Sequence, residues 1–361
     1  MSNLSNEMIF LLSAAVSFLV TFYSIPPIVR VSQKKRIFDE PCQRKSHTRK
    51  IPIVGGVAIF FGFTVSAGSF ISYQHVPSLQ YILVACIIIF FIGLNDDMVS
   101  IAPMKKLLGQ IAAALVVAIP GKVRLTSLHE FMGIGYIPPS ISILLTIFVI
   151  IVIINSLNLI DGVDGLAASI GMLTTSFFGV WFFLSGNPQY SLLSAAIFGT
   201  LVAFFGYNVF GSKNKIFMGD SGSLLVGFLI AVQVIFFNEK NIGLTSAFAI
   251  KSAPAVSFVV LIIPLYDTIR VFIIRILRGR SPFQADKNHI HHLLLKLGYT
   301  HLQTTLLMLL TNICFIILVL CMQNTGLIQM MLITMTIATV ISSILEHRVR
   351  KHNHPGEVLK R

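Results

Sequence analysis

The sequence predicts an all-α, polytopic integral membrane protein, and three observations carry that prediction. Only 11% of the 361 residues are charged while 55% are hydrophobic; soluble domains carry roughly 25% charged residues. The mean hydropathy is +0.84. Apolar runs of about 18 or more residues recur along the chain, each long enough to cross a hydrocarbon core about 30 Å thick. Lipid offers no partner to an unpaired backbone amide, so a crossing must be a helix or part of a closed barrel. Alternating, strand-like segments of a barrel are not seen.

In chain order the predicted spans are 8–29, 53–73, 78–95, 107–120, 138–155, 166–185, 190–209, 222–238, 252–274, 304–322 and 327–345. The first follows a start that holds Glu7 and no Lys or Arg. A cleavable signal peptide would open on basic residues, so this segment is expected to be retained as a span. The third closes on GLNDDMVS, the fourth is the shortest, and the fifth contains the run ILLTIFVIIVII. Into the eighth run Gly219, Ser223 and Gly227 at four-residue spacing, a pattern that lets membrane helices approach closely. No low-complexity linker, soluble insertion or internal repeat interrupts the series, so one membrane domain is expected to fill residues 1–361.

Eleven crossings put the termini on opposite sides, and basic residues choose between the two orientations. With the N-terminus outside, segments 30–52, 96–106, 156–165, 210–221 and 275–303 and the tail 346–361 face the cytosol; with Arg270 they hold 23 of the 27 Lys and Arg. The outer segments hold Lys122, Arg124, Lys240 and Lys251. This is the positive-inside pattern and predicts a cytosolic C-terminus. The net charge of +13 is then explained by topology and anionic lipid, with no nucleic-acid partner. Cys42, Cys86, Cys314 and Cys321 show no CxxC spacing, which argues against a disulfide framework or a zinc site.

Acidic residues are costly near a membrane, at about 2.5–3.5 kcal/mol for an Asp at a span centre. Asp96, Asp97, Asp161, Asp164, Asp220, Asp267 and Asp286 nevertheless gather in or beside the inner segments. Asn155, Asn158, Asp161 and Asp164 recur every three residues in NSLNLIDGVDGLA, so neighbours in the series share a helical face. Asp220 opens the eighth span in FMGDSGSLLVG, beside Phe217; a lone carboxylate there suits Mg²⁺, which prefers one or two carboxylates plus phosphate oxygens and water. His289, His291 and His292 follow in HIHH, without the Cys or carboxylate that would complete a zinc site. As donors they suit phosphate oxygens. The loop QRKSHTRKIPIVGG adds Lys45 and His47 as candidate substrate-binding residues. No Walker A sequence occurs. Carboxylates that can hold Mg²⁺, with cationic donors nearby, describe an electrostatic clamp for phosphoryl transfer.

Four ordered blocks resemble the polyprenyl-phosphate N-acetylhexosamine-1-phosphate transferases, the family of WecA, TagO and MraY: Asp96-Asp97, NxxNxxDGxDGLA from Asn155 to Ala167, GDSGSxxxG from Gly219 to Gly227, and HIHH. The resemblance covers residues 42 to 298. It implies transfer from a UDP-N-acetylhexosamine to undecaprenyl phosphate, with Mg²⁺ as cofactor and Mn²⁺ as a substitute. It assigns Asp220 to the metal with Asn158 as a second ligand, and Asp96 and Asp97 to the acceptor phosphate as base or nucleophile. Asp161 and Asp164 would serve the nucleotide end or the metal's surroundings, Phe217 would stack on uracil, Asn155 would help bind substrate, and His289, His291 and His292 would hold pyrophosphate. HIHH followed by LLLKLG is closer to the WecA and TagO branch, which favours GlcNAc over a MurNAc-pentapeptide. A homodimer is compatible with all of this. A secondary transporter should instead place its charges near the bilayer midplane on broken helices.

Overall fold

The structure is a computed structural model that describes residues 5–35, 38, 51–281 and 288–353. Helices dominate: α1 (Asn6–Lys35), α2 (Gly55–Phe70), α3 (Leu79–Val99), α4 (Pro103–Ala118), α5 (Pro139–Ile160), α6 (Leu166–Leu184), α7 (Pro188–Phe210), α8 (Gly219–Asn241), α9 (Ala253–Val260), α10 (Ile262–Leu277), α11 (Ile290–Lys296), α12 (His301–Cys321) and α13 (Leu327–Asn353). An antiparallel hairpin of β1 (Ser127–Phe131) and β2 (Ile134–Tyr136) joins α4 to α5.

Every expected span contains helix, but the count of eleven is reduced. Among the described residues eight helices are long and apolar enough to cross a membrane, or nine if α9 and α10 are one span. That pair bends by 82° about Leu261, three residues before Pro264, within the segment 252–274 expected as one span. Helices α2 and α4 have 16 residues each, about 24 Å at 1.5 Å per residue, which is short of a hydrocarbon core.

Helix α8 is the axis of the fold. Nineteen of its residues are buried, from Ser221 to Asn241, as suits a helix apolar on all sides. Helices α2, α3, α5 and α6 pack around it, while α1 and α7 close one flank. Missing side chains bring two neighbours onto its first turn: a β-carbon at Gly56 would lie 2.2 Å from the Gly222 nitrogen, and one at Gly93 would lie 2.5 Å from Ser221 Cα. The bundle has two distinguishable ends. At one, Gly55 N–H donates to the Phe217 carbonyl (3.0 Å) and Phe217 N–H to the Pro52 carbonyl (2.8 Å). At the other, Glu239 accepts from the Thr126 N–H and hydroxyl, both at 2.7 Å. A cavity of about 380 Å³ between the hairpin and residues 241–251 lies at this second end, remote from the acidic cluster.

Candidate active site

The first end of the bundle gathers Asp96 and Asp97 of α3, Asp161 and Asp164 of the turn between α5 and α6, and Asp220 of α8. The α8 N-terminus presents unpaired amides, and Asp97 reaches across from α3 to satisfy them. Its Oδ1 accepts from the Asp220 N–H at 2.6 Å; its Oδ2 accepts from the Ser221 N–H at 3.0 Å and the Ser221 hydroxyl at 2.6 Å. Gly219 makes this possible. Its φ is +72°, and a β-carbon there would meet the Ile53 carbonyl at 2.1 Å and the Asp97 carboxylate at 2.7 Å. Asp97 therefore anchors the turn that carries Asp220.

Asp96 faces the other way. Its Oδ1 accepts from the Ile101 N–H at 2.8 Å, closing the turn between α3 and α4, and its Oδ2 takes Lys106 Nζ at 3.0 Å. The same ammonium lies 2.8 Å from Asp220 Oδ1. Asn158, near the end of α5, donates through Nδ2 to Asp220 Oδ1 and to Ser223 Oγ (2.8 Å), and Ser223 in turn donates to the Gly219 carbonyl at 2.9 Å. Lys106 joins the cluster from the first turn of α4. The one clue was its position at the start of an otherwise apolar run.

Asp161, Gly162, Val163 and Asp164 form the turn between α5 and α6. Among the described residues no donor holds the Asp161 carboxylate. Burial, followed by the charges of Asp220, Asp97 and Asp164, pushes this carboxyl well above the usual carboxylate range. Asp164 is turned aside: Lys215 Nζ lies 2.6 Å from its Oδ2, its N–H donates to His301 Nδ1 (3.2 Å), and its carbonyl accepts from Thr305 (2.9 Å). Asn208 fixes the end of the turn by accepting from the Gly165 N–H at 2.6 Å. Lys215, His301, Thr305 and Asn208 carried no local signal; they are legible only once the helices are assembled.

The expected substrate residues divide. Asn155 pairs with Gln110 of α4 through reciprocal amide bonds of 2.8 and 3.3 Å and also donates to the Ile151 carbonyl at 2.8 Å. It is a link between helices. Phe217 is half-buried at the same end as Asp220. Lys45, His47 and Asp286 lie outside the described residues.

The three histidines do not act as one row. His289 stands before α11, buried, with Nδ1 2.9 Å from Asp267 Oδ2. His291 is buried against the Asp161 turn, where a β-carbon on Gly162 would lie 3.2 Å from its Nε2. Burial, then the neighbouring His292, His289 and His301, holds its imidazole well below the ordinary histidine value. That environment favours the neutral ring over a cationic one. His292 is half-buried.

The donor set suits Mg²⁺. Among the described residues no three His, Cys, Asp or Glu side chains stand ready to hold a metal ion, so a cage built by the protein alone is not indicated. Asp220, the Asn158 amide and the unpaired Asp161 carboxylate offer the sparse oxygen set that Mg²⁺ takes when phosphates supply the remaining ligands.

Comparison with known proteins matches residues 79–238 to the family model described as glycosyl transferase family 4. The undecaprenyl-phosphate alpha-N-acetylglucosaminyl 1-phosphate transferase of Escherichia coli K12 is 29% identical over 288 residues, 77% of this chain and 74% of the relative. The protein of the same name from Yersinia pestis is 28% identical, over 84% of this chain and 80% of the relative. The decaprenyl-phosphate N-acetylglucosaminephosphotransferase of Mycobacterium tuberculosis is 30% identical, over 82% of this chain and 77% of the relative. With Asp96, Asp97, Asn158, Asp161 and Asp220 all inside the matched segment, the chain belongs to glycosyl transferase family 4, as a membrane sugar-phosphate transferase of the WecA and MraY type.

Proposed function

We propose that the protein transfers N-acetylhexosamine-1-phosphate, with GlcNAc as the sugar, from a UDP-sugar to undecaprenyl phosphate at the cytosolic membrane face. The products are undecaprenyl-pyrophosphate-sugar and UMP, and the lipid product starts a cell-surface polysaccharide. The observation that carries this reading is the meeting of Asp96, Asp97, Asn158, Lys106 and Asp220 at one end of the bundle, within one hydrogen-bonded network. The names of the relatives support the sugar, since those from Escherichia coli and Mycobacterium tuberculosis both specify N-acetylglucosamine.

In the reaction a phosphate oxygen of the lipid attacks the sugar-bearing phosphorus, and the bond from that phosphorus to UMP breaks. One phosphoanhydride replaces another, so no separate energy source is required. Mg²⁺ held by Asp220 and the Asn158 amide oxygen, with Asp161 alongside, would neutralise pyrophosphate charge. The Asn158 amide is oriented here by its hydrogen bonds and can present oxygen after a flip. Lys106 brings an ammonium to the same place. Both oxygens of Asp97 are engaged in anchoring α8, and a nucleophilic role would require that anchor to open. Direct attack by the acceptor phosphate requires no such release and is the mechanism we favour, with Asp96 and Asp97 as positioning groups. In this reading Phe217 stacks on uracil and His292 donates to pyrophosphate.

Purified protein incubated with undecaprenyl phosphate and a panel of UDP-sugars tests the reading by mass analysis of the lipid product. A GlcNAc-pyrophosphate lipid with stoichiometric UMP is expected. Release of UMP without a lipid product, or transfer confined to a MurNAc-pentapeptide donor, would overturn it.

A further inference from the structure

Asp267 is fully buried on α10, yet its carboxylate has work at both oxygens. Oδ2 holds His289 Nδ1 at 2.9 Å, and Oδ1 accepts the Ile290 N–H at 3.0 Å, the first amide of α11. Arg270, one turn on, approaches Asp267 Oδ1 at 3.5 Å, donates to the Asn288 carbonyl at 2.9 Å and pairs with Glu346 of α13. A buried carboxylate is tolerated only when compensated in this way.

Helix α11 has seven residues, too few to be stable alone, so its placement depends on such anchors. His289 is its N-cap residue and supplies no side-chain cap of its own. Asp267 provides the cap from another helix, and the His289 ring locks the carboxylate in place. The His289 ring is 4% exposed. It stacks parallel to His291, with centroids 5.6 Å apart and an 8° angle between planes. His291 in turn abuts Gly162 of the Asp161 turn, and its ring centroid lies 4.2 Å from that of His292.

We propose that Asp267 and His289 are a positioning pair for sugar-phosphate transfer: their buried hydrogen bond seats α11 so that His291 stands against the Asp161 turn with His292 beside it. His289 thus acts through its Nδ1–H toward Asp267, and its Nε2 has no part in binding substrate. The inference rests on the transfer reaction proposed above for its kinetic consequence, and on geometry alone for its structural one.

The two nitrogens of His289 can be separated by substitution. Asparagine reproduces the Nδ1–H donor, glutamine approximates Nε2, and alanine has neither. His289→Asn is expected to keep transfer within about threefold of wild type, while His289→Gln, His289→Ala and Asp267→Asn lose about 10- to 100-fold, the range seen for groups that orient a ligating histidine. Asp267→Asn combined with His289→Ala should be no worse than the weaker single variant, since both remove one interaction. Thermal unfolding in detergent, measured on the same four-member cycle, should show the same non-additivity whether or not transfer is detected. It therefore tests the pair even if the proposed reaction fails. His289→Asn as inactive as a folded His289→Ala, or additive effects in the cycle, would overturn the proposal.

Discussion

At the scale of single residues the site is a set of unequal carboxylates. Asp97 is saturated by three donors, Asp96 and Asp220 share one ammonium, and Asp161 has none among the described residues. Holding Asp161 ionised beside Asp220, Asp97 and Asp164 costs the apo protein stability, and a bound divalent cation removes the penalty. Asp161→Asn should therefore raise the unfolding temperature without Mg²⁺ and reduce the further rise that Mg²⁺ produces. In the parent protein that rise corresponds to about 2.7 kcal/mol at a concentration 100 times the dissociation constant. Calorimetry with and without Mg²⁺ checks both signs, and an unchanged Mg²⁺ response would place Asp161 away from the cation. His291 predicts a pH effect. Its folded-state affinity for protons lies below that of the unfolded chain, whose histidines titrate near 6.5. As pH falls below about 6.5 the unfolded state takes up the proton first, and stability declines by at most about 1.4 kcal/mol per pH unit for one proton. His291→Gln should flatten that limb of the unfolding-temperature profile; an unaltered profile would show that another group controls it.

At the scale of elements, helices were legible wherever lipid forbids anything else, from the first run through the last. The features that depend on contact across the bundle were not. Asp97 anchors residues 123 and 124 positions further along the chain, and no local spacing announces such a partner. The break at Leu261 and the β1–β2 hairpin likewise lie between segments whose composition permits several conformations. The three-residue spacing of Asn155, Asn158, Asp161 and Asp164 puts neighbours on a shared helical face only while the helix continues, and α5 ends before the two carboxylates. The end of α5 at Ile160 turns Asp164 toward Lys215, while Asn155 lies deeper, against α4. Gln110 is 1% exposed, so Asn155→Ala would strand its buried amide at a cost of about 1–3 kcal/mol. The expected result is a lower unfolding temperature with an unchanged KM for the UDP-sugar. A raised KM at unchanged stability would restore Asn155 to the substrate site.

At the scale of the whole molecule, the candidate site and most of the positive charge occupy the same end. Lys105 and Lys106 flank the α3–α4 turn, Lys213 and Lys215 lie between α7 and α8, and Arg270 and Arg275 belong to α10. The opposite end carries Lys122 and Arg124 before the hairpin, Lys240 in the last turn of α8 and Lys251 lining the cavity. Positive residues are retained on the cytosolic side during insertion, and UDP-sugars are cytosolic metabolites, so charge and substrate supply demand the same orientation. Single cysteines in a background with Cys42, Cys86, Cys314 and Cys321 replaced by serine make that demand measurable. Met132→Cys in the hairpin, where the native side chain is 73% exposed, should react with a membrane-impermeant maleimide on intact spheroplasts. Lys213→Cys, on the exposed α7–α8 connection, should react only after permeabilisation. The reverse pattern would put the acidic cluster outside the cell, away from its nucleotide donor, and the proposed reaction could not then occur in that orientation.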